Sequence, residues 1–440
     1  MTHSGGTVTG TETPGAAHRI AAFVERAVAA PLEFDIRAWD GSTAGNGSGA
    51  TLVLRTPRAV RRMLWRPGQL GAARAFVAGD CDIEGDLVAV VRQLGSVLGT
   101  PWPDLAGAAL QGLRNGPGRE ILGPPVARPS AEVRRYRGAR AVRHHYDVGD
   151  EFYRLVLGPS MVYSCAYWPD GERSGYGPTE AQRAKLDMVC RKLDLRPGMR
   201  LLDLGCGWGS LLLHAARHYG VEGVGVTLAR NQARLAARRI EEAGLADRVR
   251  VRLQDYRAVR DGPFDAVASI EMTHHLSRSG RREHAAALAR LVAPGGRVLS
   301  HELCVLPGGR KLMRSPFLLR YPHPDLDLGT VGRSAMLAER HGLELLDVEN
   351  LREHFVPTIR SWLTNLERNR ERATALVGYQ TVAVWRLFFA VGLLSFEAGL
   401  AGVQHLLFTR PRPAGRHVFA ARPSRYRRPP AGDPPTGTPT

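Results

Sequence analysis

The chain has 440 residues, 44% apolar and 23% charged, enough for two domains with hydrophobic cores and unlike a disordered or polytopic membrane protein. Its formal net charge of +18 points to an anionic partner: nucleic acid, an acidic lipid surface or an acidic carrier. The five cysteines are scattered without a CxxC pair, which argues against a disulfide framework and fits reduced thiols in a cytoplasm. Residues 1–15 (MTHSGGTVTGTETPG) lack a basic flank before an apolar run, so they read as a disordered start and not as a signal peptide. Residues 16–111 carry a helical stretch, HRIAAFVERAVAA, and a strand-like TLVLRT, and are expected to form a smaller N-terminal α+β domain. The Gly/Pro-rich stretch GLRNGPGREILGPPVARPS places a linker at 112–139.

From 140 to 410 strands and helices alternate: RLLDLG, LLLHAARHYG, GVGVT, ARLAARRIEEAG, VRVRLQDY, FDAVASI, HAAALARLV and GGRVLSHEL. That order predicts an α/β domain, a mostly parallel sheet with helices on both faces. The apolar segment 382–408 is interrupted by Arg386, Glu397, Gln404 and His405, so it reads as a buried or interfacial helix and not as a membrane span. Residues 411–440, arginines among prolines, should be disordered.

The most informative stretch is LLDLGCGWG, 201–209. An apolar strand ends in Asp203, and Gly205, Gly207 and Gly209 open a helix, with Cys206 between the first two. Glycines there let the backbone turn tightly and approach a ligand where a Cβ would collide. The spacing is GxGxG, not the GxGxxG of dinucleotide binders, which favours S-adenosylmethionine over NAD. After the next strand come Thr227 and then Gln232, which takes the place of an acid on the ribose hydroxyls. Asp255 and Tyr256, after the third strand, suit the adenine side.

These motifs, with HHYDVGDEFYRLVLGPSMVYSCAYW (144–168), AQRAKLDMVCRKLDLRPGMRLLDLGCGWGS (181–210), GVTLARNQ (225–232) and RLFFAVGLLSFEAGLAGVQHLLF (386–408), resemble the cyclopropane-fatty-acyl-phospholipid synthases and related mycolic-acid and fatty-acid C-methyltransferases. RAVRRMLWRPGQLGAARAFVAGDCDIEGDL (58–87) looks like the extra, lipid-binding-like domain of the long members. The resemblance implies a Rossmann-like class I methyltransferase and one-carbon transfer from S-adenosylmethionine to a cis alkene in an acyl chain. It implies unsaturated phospholipid acyl chains as partners and, with the basic excess and the apolar run 387–396, peripheral attachment to an anionic inner membrane face from the cytoplasm. The basic residues are not interleaved with an RNA-binding module, so no nucleic-acid partner is expected. The resemblance also implies a dry channel with aromatic faces, for which Tyr146, Tyr163, Tyr167 and Trp168 are candidates.

By the same resemblance Tyr163 and Ser164 touch the cofactor, Cys165 and His301 lie beside a bound bicarbonate that acts as base, and Leu303 gives a backbone contact. The chain departs from the pattern twice. His274, in SIEMTHHLSRSG, stands where the family has a glutamate that holds bicarbonate, and Phe355 stands where it has a tyrosine. Cys165, His274 and His301 are therefore the expected catalytic set, with bicarbonate in question. Strand alternation is expected to send Glu271 elsewhere. No HExxH or acidic spacing accompanies the histidines, so no metal is expected. The product can be a cyclopropane or a methyl- or methylene-branched chain. A C-methyltransferase of an unsaturated secondary metabolite and a lapsed lipid-binding member are the competing readings.

Overall fold

A computed structural model describes residues 14–66, 68–98, 124–133, 145, 146, 148–169, 171 and 175–412. The disorder expected at 1–13 and 413–440, and the linker at 112–123 and 134–139, lie outside the described residues. The chain divides into two compact units. The first takes in the described residues up to Val133 together with Ser315–Tyr321 and Gly378–Leu394; the second takes the rest. The stretch 378–394 thus leaves the region 140–410 with which sequence order groups it.

In the first unit, β1 (Asp35–Arg37), β2 (Thr43–Ala44), β3 (Thr51–Leu54) and β4 (Cys81–Glu84) form a sheet in the order β2-β1-β3-β4. Phe34, Ile36, Leu52, Leu54, Phe76 and Ile83 are buried in its core. The helix Tyr379–Glu397 has the length and apolarity to cross a membrane, yet 56% of its apolar window is buried inside the protein. Its Arg386 is itself buried, 2.9 Å from Asp82 Oδ1, and donates to the Ile83 carbonyl. A buried pair of this kind holds its partners firmly, because removing one leaves an uncompensated charge. Segment 382–408 is only partly helical, a correction to the sequence reading: residues Ala401–Thr409 form a strand, buried at every position.

The second unit is built on seven strands: β5 (Arg200–Leu204), β6 (Glu222–Thr227), β7 (Val249–Leu253), β8 (Phe264–Ile270), β9 (Val292–Val305), β10 (Glu344–Asn350) and β11 (Ala401–Thr409). Their order is β10-β11-β9-β8-β5-β6-β7. β5 pairs in parallel with β6 and β8, β6 with β7, and β8 with β9, while β11 is antiparallel to both its neighbours. This is a doubly wound α/β sheet, parallel except for β11, which is inserted antiparallel between β10 and β9. One core packs Leu201, Leu212, Val189, Ala215 and Leu299; the other packs Leu202, Leu204, Val267, Leu288 and Val298. Alternate residues of β5 feed both cores, so both faces of the sheet are covered. The chain leaves β5 toward β6 and later crosses back to β8, which puts a crevice at the carboxyl ends of these strands. All five cysteines are free and buried.

Candidate functional site

A cavity of about 530 Å³ lies at the carboxyl ends of β5, β6, β7 and β8, within the second unit. Asp203 closes β5 beneath it. Its Oδ1 is buried without a hydrogen-bond partner, and burial pushes the carboxyl up to about 7, against the pull of Lys185. The turn that follows is lined by Gly205, Cys206, Gly207 and Trp208. A Cβ on Gly207 would meet nothing within 4 Å, so the space above that residue is open. Gly209 does not line the cavity. It caps the helix Ser210–Tyr219, and a Cβ there would lie 3.4 Å from Ala236 Cβ, a packing role. The Cys206 thiol packs toward β6, where a Cβ on Gly225 would come 2.7 Å from it.

Thr227, Gln232, Asp255 and Tyr256 also line the cavity. Thr227 Oγ1 donates to Gln232 Oε1 at 2.7 Å, which leaves the Gln232 amide donors for a ligand. Asp255 accepts from the Arg257 backbone and both arms of its guanidinium, interactions that hold its carboxyl below the usual range.

The opposite wall is the segment Met161–Ser164. Ser164 accepts twice, its carbonyl from Gln182 Nε2 and its hydroxyl oxygen from Lys185 Nζ, both at 2.8 Å. Lys185 was not foreseen. It lines the cavity and burial lowers its ammonium to about 8, although Glu271, Cys165 and Asp203 favour the charge. Tyr163 sits among rings, 5.1 Å from Trp362 and 5.6 Å from Tyr153, so the wall presents aromatic faces.

At the end of β8 the structure corrects the sequence reading of Glu271. The strand stops at Ile270, and Glu271 turns with φ +49, so alternation no longer governs its side chain. Its carboxylate, 9% exposed, lines the cavity, accepts from Cys165 N–H at 2.7 Å and lies 3.2 Å from His301 Nε2. His301 Nδ1 is 2.8 Å from His405 Nε2 across the β9–β11 register. Cys165 and His301 are thus brought together, but behind Glu271 and not on the cavity surface. Burial and then Glu271 push the Cys165 thiol well above its ordinary value, so it stays neutral, and Cys165 meets Glu271 through its backbone N–H. Burial also lowers His301, although Glu271 opposes this.

His274 does not line the cavity, although its neighbour His275 does. Burial keeps His274 neutral, well below the ordinary histidine range. Phe355 packs edge-on to Trp362 and Phe396, and His354 Nδ1 accepts from Trp168 N–H. Tyr167, against His354, and Trp168 likewise stand off the cavity, while Tyr146 lines it. Leu303 pairs with Val403 in the sheet and takes no part in the cavity wall.

Residues 133–406 match the sequence profile described as mycolic acid cyclopropane synthetase. The chain belongs to this family. A probable fatty acid methyltransferase of Mycobacterium tuberculosis is 36% identical over 411 residues, covering 89% of this chain and 94% of that protein. The cyclopropane-fatty-acyl-phospholipid synthase of Escherichia coli K12 is 32% identical over 327 residues, covering 72% and 77%. Among solved structures, mycolic acid cyclopropane synthase CmaA1, complexed with SAH and CTAB, superposes with a TM-score of 0.58 at 28% identity, covering 62% of this chain and 99% of that one. The protein is an S-adenosylmethionine-dependent methyltransferase of the cyclopropane synthase type. Its cavity fits that cosubstrate: a buried carboxyl with one unpartnered oxygen, Asp203 Oδ1, meets a cation, and the open space over Gly207 admits a close backbone approach.

Proposed function

We propose that this protein transfers a one-carbon unit from S-adenosylmethionine to the double bond of an unsaturated fatty acyl chain. The observation that carries the reading is a carboxylate, Glu271, fixed at the cavity wall beside the glycine turn. In this assignment Asp203 and the Gly205–Gly207 backbone hold the methionine end, Gln232 and Thr227 the ribose, and Asp255 and Tyr256 the adenine side. Tyr163 and Ser164 shape the wall beside the reacting carbon.

S-adenosylmethionine supplies an electrophilic methyl on a sulfonium. The alkene π pair forms the new carbon–carbon bond, the carbon–sulfur pair returns to sulfur, and positive charge appears on the other alkene carbon. Aromatic faces at Tyr163, Tyr146 and Trp208 tolerate that charge. Glu271 then accepts the proton, held in place by Cys165 N–H and His301. Loss from the new methyl closes a cyclopropane; loss from the adjacent chain carbon leaves a methyl-branched alkene. Glu271 thereby takes over the work that the sequence reading gave to His274 with or without bicarbonate. The names of the two relatives, a probable fatty acid methyltransferase and a cyclopropane-fatty-acyl-phospholipid synthase, support one outcome each.

The test is to incubate the protein and S-adenosylmethionine with vesicles of cis-unsaturated phospholipid and with the free fatty acids. Products that gain one CH₂, resolved by proton NMR into ring or branch, support the proposal. Methylation only of a non-lipid alkene would favour the secondary-metabolite reading, and S-adenosylmethionine binding without any turnover would favour the lapsed one. The charge of +18 supports peripheral attachment to anionic lipid, checked by co-sedimentation with anionic and neutral vesicles at low and high salt.

A further inference from the structure

His274 and His275, on the 3₁₀ turn Thr273–His275, meet His323 from a distant segment of the same unit. Each offers a ring nitrogen, and the three nitrogens lie within 4.8 Å of one another. The ring centroids of His275 are 4.2 Å from His274 and 5.7 Å from His323, and His274 lies 5.7 Å from His323. His274 and His323 are 5% and 7% exposed, and the His275 side chain 7%. His274 Nδ1 and His275 Nε2 are buried with no hydrogen-bond partner. Buried imidazole nitrogens without a partner are costly unless something binds them.

The remaining nitrogen of His275 supplies the second observation. His275 Nδ1 lies 3.2 Å from Asp325 Oδ2, whose side chain is 4% exposed. A carboxylate on Nδ1 fixes the tautomer that leaves Nε2 as a lone-pair donor, the arrangement found behind metal-bound histidines. Three imidazoles without a thiolate suit a divalent transition-metal ion such as zinc. Tetrahedral zinc at about 2.0–2.1 Å from each nitrogen needs nitrogens about 3.4 Å apart, inside the 4.8 Å bound of this cluster.

We propose that His274, His275 and His323 form a binding site for a divalent transition-metal ion, with Asp325 as the positioning residue behind His275. Three protein ligands leave further coordination positions, and His275 and Asp325 both line the cavity, so a water or an anionic substrate group has access to the ion. The spacing of the sequence hid the site because one ligand comes from far along the chain.

The test uses the untagged full-length chain, purified without chelator, with metal content measured by mass spectrometry and binding by titration of the stripped protein with Zn²⁺ and Co²⁺. One ion per chain, with the visible absorption bands of tetrahedral cobalt, is the expected result. Asp325→Asn, which keeps all three imidazoles, should weaken binding about 10- to 100-fold. His323→Ala should abolish stoichiometric binding, while His405→Ala, outside the cluster, should retain it. Cooperative melting of each variant separates loss of the site from loss of the fold. A folded native chain that holds no metal and gives no cobalt bands, or an His323→Ala variant that binds as the native chain does, would overturn the site. Metal content is read without turnover, so a metal-free but active enzyme refutes this site alone, and a metal-bound inactive one refutes the acyl-chain reading alone.

Discussion

Two turns leave neighbouring strands at the cavity, and they reach the same left-handed φ by opposite means. After β5, Gly205, Gly207 and Gly209 have φ of +78, +53 and +78. Glycine enters that left-handed region without steric cost and leaves the ligand room. After β8, Glu271 has φ +49 with a full side chain. A non-glycine residue there costs about 1–2 kcal/mol, a strain that persists where the surroundings over-determine it. Here the surroundings are Cys165 N–H, His301 and the backbone bond from Glu271 N–H to the His301 carbonyl at 2.8 Å. The first turn makes space; the second fills it with a charge.

The sharpest way to break this contrast is to remove the charge and keep the shape. Glu271→Gln should lower kcat by about 10²- to 10⁴-fold, the usual range for losing a positioned base. The KM for S-adenosylmethionine should move by no more than a few-fold. Glu271→Gly relieves the left-handed strain but leaves Cys165 N–H and His301 without their acceptor, so it should melt below the native chain yet no lower than Glu271→Ala, and added bicarbonate or formate should restore part of its rate. Steady-state kinetics and thermal melts read both. An unchanged kcat in Glu271→Gln would end the assignment.

The converse substitution fills the space. Gly207→Val puts a branched side chain over the open turn and should weaken S-adenosylmethionine binding at least about 100-fold, or about 2.7 kcal/mol, by calorimetry. Gly207→Ala should fall between. A Gly207→Val chain that binds normally would show that the glycine turn is not where the cosubstrate lies.

How much of each turn is legible in the sequence follows from the same physics. A glycine demanded by φ or by close approach announces itself in its spacing, so Asp203 through Gly207 are readable, as are the strands of the parallel sheet. Glu271 is not, because alternation holds only while the strand is extended and β8 stops one residue earlier. Nor is the meeting of Cys165, His301 and His405, which depends on the β9–β11 register. Segment 401–409 hides for a different reason. β11 is buried on both faces, so it lacks the apolar–polar alternation that marks a strand and looks like the end of the preceding apolar helix.

Asp203 links the two turns through charge. Burial raises its carboxyl from 3.8 to about 7, so between these values the folded chain keeps a proton that the unfolded chain has lost. Its contribution to stability is therefore present below the lower value and fades as pH rises through the upper. For a bound cation the sign reverses, because ionised Asp203 attracts it. Affinity for S-adenosylmethionine should rise roughly tenfold from about pH 6 to about pH 8, as one carboxyl titrates near 7. Lys185, lowered to about 8, loses repulsive charge across the upper part of that range and acts in the same direction. Asp203→Asn should flatten most of the rise in calorimetric titrations at the two pH values; a rise of native size in the variant would exclude Asp203 as its source.

The smallest effect separates space for a ligand from space for a helix. Gly209 shares its left-handed φ with Gly207, yet its missing Cβ faces Ala236 in the helix Arg230–Glu242 and not the cavity. Gly209→Ala would bring a methyl 3.4 Å from Ala236 Cβ, an ordinary contact, so the cost comes from backbone strain alone. That cost is about 1–2 kcal/mol for an alanine held in the left-handed region. Chemical denaturation should show this loss in stability with the slope against denaturant unchanged. S-adenosylmethionine affinity should stay within about twofold of native, under 0.5 kcal/mol. If affinity instead drops as far as in Gly207→Ala, the third glycine belongs to the ligand site and the division between the two roles fails.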